Sequence, residues 1–331
     1  MTNNTITAIT GVTVGHVTDK KNATGVTVAR FAGDGACAAV SVRGAAPGTR
    51  ETDLLDAGNL IERVHAIVLT GGSAYGLDAA SGVMSALEEE GQGLVVLPEV
   101  VVPIVPAAVL FDLSLGASTV RPTAQWGERA VRDASPVPVG SGNVGAGVGA
   151  TVGKLAGADS ATKGGLGSAL VTLPNGTKVA AMVAVNAVGE IVDSASGAVV
   201  AGARGSAAGE YLSAVDLAMG LADQEGLIGS NTTIGMVVTD APLTKAQLQK
   251  VADMAHDGLA RAIRPVHTQF DGDTVFAVSM SESEIGKGET SSTNVSLNAI
   301  GVAAARVVEL AIVDGVRAAE SMLGCVASRD W

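Results

Sequence analysis

One junction in the chain has the residue types that a self-activating nucleophile needs. Asn231 precedes Thr232, and Thr232 opens an apolar stretch, residues 232–239, that predicts a β-strand. A threonine hydroxyl that attacks the preceding carbonyl forms an ester, and hydrolysis of that ester makes the threonine a new N-terminus. Its α-amine, with a pKa of about 8, can then accept the hydroxyl proton, so that the oxygen attacks amide bonds. By residue type alone, however, an Asn-Thr pair is more often a turn residue before a β-former.

Two carboxylates lie further along the chain. Asp271 and Asp273 are separated by one glycine and lead into residues 273–279, a predicted strand. On an extended segment, residues two positions apart point to the same side, so both carboxylates would face one site. One could pair with an ammonium group while the other accepts or relays its proton. A solvated Asp-Gly-Asp turn is the structural alternative.

Strands and helices in mixed order must position these residues. The apolar patterns predict strands over residues 9–15, 25–31, 64–69, 179–185, 189–193, 232–239 and 273–279, and helices over 77–90, 209–222, 243–263 and 294–323. The glycine-rich residues 139–153 exclude a stable helix, residues 194–208 resemble a surface loop, and residues 223–230 resemble a turn. This mixture indicates a layered α/β or α+β protein with helices covering sheets.

Composition restricts the class of protein. The chain has 331 residues, of which 47% are hydrophobic, 16% charged and 2% aromatic, with 43 glycines. Such a chain can bury a large core, but small side chains and close backbone contacts must fill it. A net charge of −12 argues against nucleic acid as a partner. We therefore expect an ordered globular protein that does not bind nucleic acid.

Other residue patterns favour a soluble, cytoplasmic protein. Cys37 and Cys325 lie far apart, which predicts reduced thiols, and residues 1–10 lack the features of a secretory signal. The apolar run 94–113 contains three prolines and two acids, so we do not expect a membrane span. The histidines share no metal-ligand spacing and are expected to be packing or exposed residues: His16, His65, His256 and His267.

Four segments, in order, resemble motifs of one known family: residues 8–19, 69–77, 229–242 and 267–277. They are similar to motifs of the P1 peptidase family. The members of this family are self-cleaving N-terminal-nucleophile hydrolases. This family includes nylon-oligomer (6-aminohexanoate-oligomer) hydrolases and L-aminopeptidase/D-esterases that also cut β-peptides. The resemblance spans nearly the whole chain. It is greatest for the nylon-oligomer hydrolases, which carry the same Asp-Gly-Asp.

The resemblance implies a role for each matching residue. Asn231 would precede the cut, Thr232 would be the nucleophile, and Asp271 and Asp273 would be the acidic pair beside the new terminus. Lys154 would hold the oxyanion or lower the pKa of the neighbouring amine.

Further matching positions would line the pocket. Asn186 resembles an oxyanion-hole asparagine, and the backbone around Gly72 and Tyr75 would lie at the pocket wall. For Tyr75, ordinary packing is equally compatible. Phe111 stands where relatives carry a tyrosine near the nucleophile, and phenylalanine cannot donate a hydrogen bond.

The resemblance also implies a fold and an assembly. The fold would be a four-layer α-β-β-α sandwich like that of N-terminal-nucleophile hydrolases, but distinct in connectivity from the others. Residues 1–331 would form a single domain, cut into a large fragment, 1–231, and a small fragment, 232–331, with the strand from Thr232 at its centre. Small amides or peptides would be the substrates, no metal or organic cofactor is implied, and family members assemble as homo-oligomers, often tetramers.

One rival function is disfavoured by the sequence, and three others remain open. Residues 140–145 fit a dinucleotide-binding fingerprint, but the glycines that follow cannot open the helix that this motif requires. An aminopeptidase acting on short peptides with β- or D-residues would keep the same cleavage junction. An acyl transfer like that of ornithine acetyltransferases would also keep it. The replacement at Phe111 would favour an unprocessed, inactive binding protein.

Overall fold

The architecture is built from two stacked β-sheets. A computed structural model describes residues 3–220, 231–281 and 296–331. The strands are β1 (Val12–Asp19), β2 (Thr24–Phe31), β3 (Ala36–Val42), β4 (Thr49–Arg50), β5 (Arg63–Val64), β6 (Ala66–Thr70), β7 (Leu94–Leu97), β8 (Val100–Val102), β9 (Ala107–Val109), β10 (Thr151–Val152), β11 (Thr162–Lys163), β12 (Gly165–Thr172), β13 (Lys178–Asn186), β14 (Glu190–Asp193), β15 (Ala198–Ala201), β16 (Ala203–Arg204), β17 (Tyr211–Leu212), β18 (Thr232–Thr239), β19 (Ile263–Arg264) and β20 (Thr274–Ser279). The α-helices are α1 (Asp78–Glu89), α2 (Ala124–Arg132), α3 (Ala214–Gly220), α4 (Lys245–Ala262) and α5 (Leu297–Ala318).

Strand order places the junction at the centre of the larger sheet. One sheet has five strands in the order β1-β2-β6-β9-β4, and the other has six in the order β12-β13-β18-β20-β3-β5. β18 pairs antiparallel with β13 and parallel with β20. The expected central position of the strand that starts at Thr232 is therefore confirmed.

Three apolar layers hold the sheets and helices together. Between the two sheets lie Phe31, Met182 and Phe276, all fully buried. α1 and α2 cover the outer face of the five-stranded sheet. α4 and α5 cover the outer face of the six-stranded sheet. Each fully buried large apolar side chain contributes about 1.5–3 kcal/mol, so these layers are the main source of stability. The predicted α-β-β-α order is confirmed.

Glycines let α5 approach β12 closely, as the composition suggested. A Cβ atom on Gly167 would lie 2.0 Å from the carbonyl oxygen of Ala311 and 2.4 Å from the nitrogen of Gly315. Neither backbone can retreat without moving a whole helix or strand. Substitution of Gly167 would therefore force the two layers apart.

Most predicted elements are confirmed, and two are corrected. Residues 194–208 are not a plain loop, because they contain β15 and β16. The helix predicted over 209–222 starts only at Ala214, since β17 precedes it and pairs with β16. The turn predicted over 223–230 lies outside the described residues.

The apolar run 94–113, which was not expected to span a membrane, forms short strands. It forms β7, β8 and β9 with their connections. Among the residues that the structure describes, no helix is both long and apolar enough to cross a bilayer.

Candidate active site

The Asn231–Thr232 peptide bond is buried at the start of β18. Asn231 is fully buried and Thr232 is 4% exposed. The hydroxyl of Thr232 donates to the carbonyl oxygen of Asn231. The backbone N–H of Gly272 donates to the same oxygen at 3.1 Å. The junction thus combines a hydroxyl beside a carbonyl with a second donor that polarises this carbonyl.

The Asp-Gly-Asp segment runs alongside this junction. Asp271 forms an isolated parallel bridge with Asn231, and the Oδ1 of Asp273 accepts the Thr233 N–H at 2.7 Å. Asp271 is 2% exposed and Asp273 is 1% exposed, so a solvated turn is wrong. A Cβ on Gly272 would lie 2.9 Å from the Thr232 Oγ1, so this position needs glycine.

The two carboxyl groups have different partners. The Oδ2 of Asp271 accepts the backbone N–H of Thr268 at 2.8 Å and its hydroxyl at 2.6 Å. Burial, and next the nearby carboxylate of Asp273, raise the pKa of Asp271 to about 6. The hydrogen bonds from Thr268 and the charge of Lys154 oppose that rise. Asp271 therefore changes protonation close to neutral pH, as a group that relays protons must.

Lys154 and Asn186 lie on the other side of β18. Asn186 faces Thr232 in the β13–β18 register. The Lys154 ammonium donates to the backbone oxygen of Asn186 at 3.0 Å and to its Oδ1 at 2.8 Å. Burial lowers the pKa of Lys154 to about 7, although Asp271 favours its charged form. Lys154 is therefore not an exposed surface lysine, because its ammonium is held inside the site by Asn186.

Asn186 is fixed by three elements. Its Oδ1 also accepts the N–H of Thr151 at 3.0 Å, and its Nδ2 donates to the carbonyl oxygen of Phe111 at 3.0 Å. The amide expected to stabilise an oxyanion is thus already engaged with Phe111 in the uncut chain. These contacts orient Asn186, and through it Lys154, beside the junction.

The three pocket candidates differ in their relation to the site. Phe111 joins the site through its carbonyl oxygen. Gly72 has a φ of 84°, and its N–H donates to Asp112 at 2.8 Å, so it lies one step further away. Tyr75 is 60% exposed and its ring lies 3.7 Å below the Arg121 guanidinium. Within the described ranges, no hydrogen bond or ring contact joins Tyr75 to the junction.

Two buried charges near the site were missed by the sequence analysis. Asp112 is 2% exposed, and burial raises its pKa to about 6. Lys163 is fully buried, and burial lowers its pKa to about 7. The Lys163 ammonium donates to three carbonyl oxygens: Gly147 (3.1 Å), Ala150 (2.7 Å) and Gly164 (3.0 Å). Asp112 directly follows the apolar residues 107–111, and this position could have indicated that the acid is buried. Nothing in the local sequence marks Lys163 as buried.

His267 was also missed, although it begins one of the family-like segments. Its Nδ1 lies 2.8 Å from the Oδ2 of Asp273, and its backbone N–H donates to the same oxygen at 3.1 Å. Its φ of 57° is uncommon for a residue other than glycine. The ring of His256 packs edge-on at 4.7 Å, and its Nε2 donates to the Ser41 carbonyl oxygen at 2.9 Å. His267 therefore fixes the Asp273 carboxylate from the side opposite Thr233.

The structure also argues against dinucleotide binding by the glycine-rich residues 140–145. Residues 140–145 lead into a short 3₁₀ turn, Gly145–Gly147, and then into β10. No α-helix opens after these glycines in the described chain, so there is no helix N-terminus to receive a pyrophosphate.

Comparisons with known proteins identify the family of the chain. The model of peptidase family S58 matches residues 4–329. An uncharacterized aminopeptidase of Mycobacterium leprae is 44% identical over 342 residues, which cover 97% of this chain and 92% of its own. The 6-aminohexanoate-oligomer endohydrolase of Paenarthrobacter ureafaciens is 34% identical over 310 residues, or 92% of this chain and 83% of its own.

A solved structure supports the fold. The L-aminopeptidase D-Ala-esterase/amidase of Ochrobactrum anthropi, described as a variant of the Ntn hydrolase fold, superposes with a TM-score of 0.71. The match covers 97% of this chain and 87% of that one at 20% identity, so it shows the fold alone. The family resemblance and the fold class inferred from the motifs are both confirmed. The chain belongs to peptidase family S58.

Proposed function

We propose that this chain is an autoprocessing amidohydrolase that cleaves amide bonds in short oligoamides or peptides with Thr232 as an N-terminal nucleophile. One observation carries the proposal. The Thr232 hydroxyl and the Gly272 N–H both donate to the carbonyl oxygen of Asn231. A nucleophile, an electrophile and an oxyanion donor are thus assembled at one buried peptide bond.

The first reaction is self-cleavage. A rotation about the Thr232 Cα–Cβ bond turns its oxygen toward the carbonyl carbon of Asn231. Attack places negative charge on the carbonyl oxygen, where the Gly272 N–H stabilises it. The hydroxyl proton passes to the Thr232 nitrogen as the C–N bond breaks, and an ester then joins Asn231 to the Thr232 oxygen. Water hydrolyses this ester, leaving a carboxylate on Asn231 and a free amine on Thr232.

The second reaction is hydrolysis of a substrate amide. The freed α-amine of Thr232 accepts the hydroxyl proton, and the oxygen attacks the substrate carbonyl. Asp271 and Asp273 pair with the ammonium that results and tune its pKa. Lys154 and Asn186 stabilise the oxyanion on the other side of β18. The leaving amine takes a proton, and water then releases the acyl group from Thr232.

Two substrate modes are compatible with this chemistry. The Asn-Thr junction and the Asp-Gly-Asp segment favour hydrolysis of oligoamides, like that of the 6-aminohexanoate-oligomer endohydrolase. The higher identity to an uncharacterized aminopeptidase favours removal of N-terminal residues from short peptides. Both modes use one acyl-enzyme on Thr232.

Linear 6-aminohexanoate oligomers with free or acetylated amino ends distinguish the two modes. An endohydrolase cuts both series, whereas an aminopeptidase cuts only the series with a free amine. A panel of short α- and β-peptides tests the second mode directly. In every assay, Thr232→Ala should be inactive, and hydrolysis by this variant at the wild-type rate would refute the proposal.

A further inference from the structure

The buried lysine Lys163 takes no part in the reactions proposed above. It lies on β11 and pairs with Thr151 of β10. Its side chain is fully buried, and its ammonium donates to three backbone carbonyl oxygens at distances between 2.7 and 3.1 Å. Removing a charge from water costs free energy, and apolar side chains of similar volume often replace buried ions without loss of stability. The ammonium therefore indicates a role beyond stability.

The peptide unit between Ala150 and Thr151 connects Lys163 to Asn186. Its carbonyl oxygen accepts from the Lys163 ammonium at 2.7 Å and from the Gly164 N–H at 2.8 Å. Its N–H, which belongs to Thr151, donates to the Oδ1 of Asn186 at 3.0 Å. A peptide unit is planar, so donors that fix its carbonyl oxygen also fix the direction of its N–H. They also polarise the unit, which strengthens the bond that the N–H donates.

The Thr151 bond determines which way the Asn186 amide points. The Oδ1 of Asn186 also accepts from Lys154 at 2.8 Å, but burial lowers the pKa of Lys154 to about 7, and a neutral amine can accept as well as donate. Of the donors that the described residues supply to this oxygen, only the Thr151 N–H cannot titrate. It keeps the Nδ2 directed at the carbonyl oxygen of Phe111. A reversed amide would place two acceptors against each other there.

The glycine-rich residues 145–150 cannot hold this peptide unit in place by themselves. Three of the six are glycines, whose backbone has the most conformational freedom. A stiffer residue is excluded at Gly147, because a Cβ there would lie 2.0 Å from the backbone nitrogen of Leu166. The Lys163 ammonium instead joins the carbonyl oxygens of Gly147 and Ala150, at 3.1 and 2.7 Å. It thereby fixes the end of the segment from outside.

We propose that Lys163 is a positioning residue that acts on Asn186 through the peptide unit between Ala150 and Thr151. Within the described ranges, its ammonium has no hydrogen bond to Thr232, so it is not a catalytic residue. The inference rests on the proposed function, because it assumes that the Asn186 amide stabilises the oxyanion. Without the ammonium, the peptide unit can rotate, and the amide loses the donor that orients it.

A double-mutant cycle on hydrolysis, measured per cleaved chain, tests this role. Lys163→Met should lower kcat about tenfold and change KM less than about twofold, because the oxyanion forms only in the transition state. In the Asn186→Ala background, the same substitution should lower kcat less than about twofold, since the group it positions is gone. An equal fall in both backgrounds would indicate a purely structural lysine and overturn the proposal.

Lys245→Met is the matched control. Lys245 is 3% exposed and opens α4, which follows the end of β18 that lies about 23 Å from Thr232. Its ammonium also donates to three carbonyl oxygens: Leu54 (2.8 Å), Asn59 (3.1 Å) and Ile61 (2.9 Å). The control should keep kcat within about twofold of the wild type. A tenfold fall here as well would assign the effect to the loss of any buried lysine, against the proposal.

NMR of the uncut Thr232→Ala chain needs neither self-cleavage nor hydrolysis, so it separates failure of this inference from failure of the proposed function. The Asn186 side-chain amide signal, assigned by its absence in Asn186→Ala, should move or split with Lys163→Met and stay in place with Lys245→Met. With Lys163 intact, the Thr151 N–H should exchange with solvent at least about a thousandfold more slowly than in a free peptide. An unmoved Asn186 signal, or free exchange at Thr151, would overturn the proposal.

Discussion

The backbone N–H of Gly272 donates to the carbonyl oxygen of Asn231 at 3.1 Å, in the uncut chain. Gly272 lies between the two carboxylates, so this bond places the acidic segment against the junction before any cleavage. Donors that are fixed before reaction need no reorganisation when charge develops, and this makes them effective. The structure thus brings together, in the uncut chain, the groups on which the proposed chemistry depends.

Replacement of Gly272 by alanine should slow self-cleavage by about tenfold or more. The new Cβ would lie 2.9 Å from the Thr232 Oγ1 and 2.8 Å from the Ala46 carbonyl oxygen, so the hydroxyl must move. Gly140→Ala is the control, since its Cβ would meet only Val144 at 3.6 Å. The rate of appearance of the two fragments, followed by gel electrophoresis, measures the effect. Equal cleavage rates in both variants would show that Gly272 has no steric role.

Loss of His267 should reduce both self-cleavage and hydrolysis by about 10–100-fold, because Asp273 would lose the imidazole that orients it. His267→Asn should recover part of the activity, since its amide can donate to the same carboxylate. His267→Ala should recover none of it. His16→Asn serves as the control, because His16 bonds Thr27 at 2.9 Å, away from the acidic pair. Identical kinetics for the two His267 variants would indicate a purely structural residue.

Stability should increase with pH above neutrality in the uncut Thr232→Ala chain. Burial lowers the pKa of Lys154 and Lys163 to about 7 in the folded state, against 10.5 for an exposed lysine. Between these values the unfolded chain binds more protons, so the free energy of unfolding rises with pH. Each lysine contributes up to about 1.4 kcal/mol per pH unit.

Asp112 and Asp271 act in the opposite sense at lower pH. Their folded pKa of about 6 exceeds the ordinary aspartate value of 3.8, so the folded chain binds more protons between these values. The free energy of unfolding should therefore fall as pH rises through this range. Lys163→Met should remove about half of the slope above neutrality in urea titrations. An unchanged slope in this variant would show that Lys163 is not buried as a titrating group.

The sequence predicted the strands and helices that carry long periodic patterns. β18 has the predicted bounds, 232–239, and α4 lies within the predicted helix, 243–263. The capping box between Thr244 and Gln247 explains where α4 starts. Short strands were missed in residues 194–212, because β15, β16 and β17 have two to four residues each, which is too few for an alternating pattern to be recognised.

The site residues also divide into those that the sequence indicated and those that it did not. Asn231, Thr232 and the two acids were singled out because they lie in contiguous family-like motifs, and the structure brings them together, while their roles stay predictions. Lys154 and Asn186 came from the family resemblance, and the structure brings them to the same junction. The roles of Lys163 and His267 depend on distant carbonyl oxygens and on a left-handed backbone. No local pattern encodes either feature.

Intact mass spectrometry of the purified protein under denaturing conditions tests the central claim most directly. We predict two species of about 23 and about 10 kDa, the 32.7 kDa chain divided between residues 1–231 and 232–331. Thr232→Ala should stay at 32.7 kDa. A single wild-type species of 32.7 kDa, unchanged after days at neutral pH, would contradict self-cleavage and leave Thr232 buried within an uncut strand.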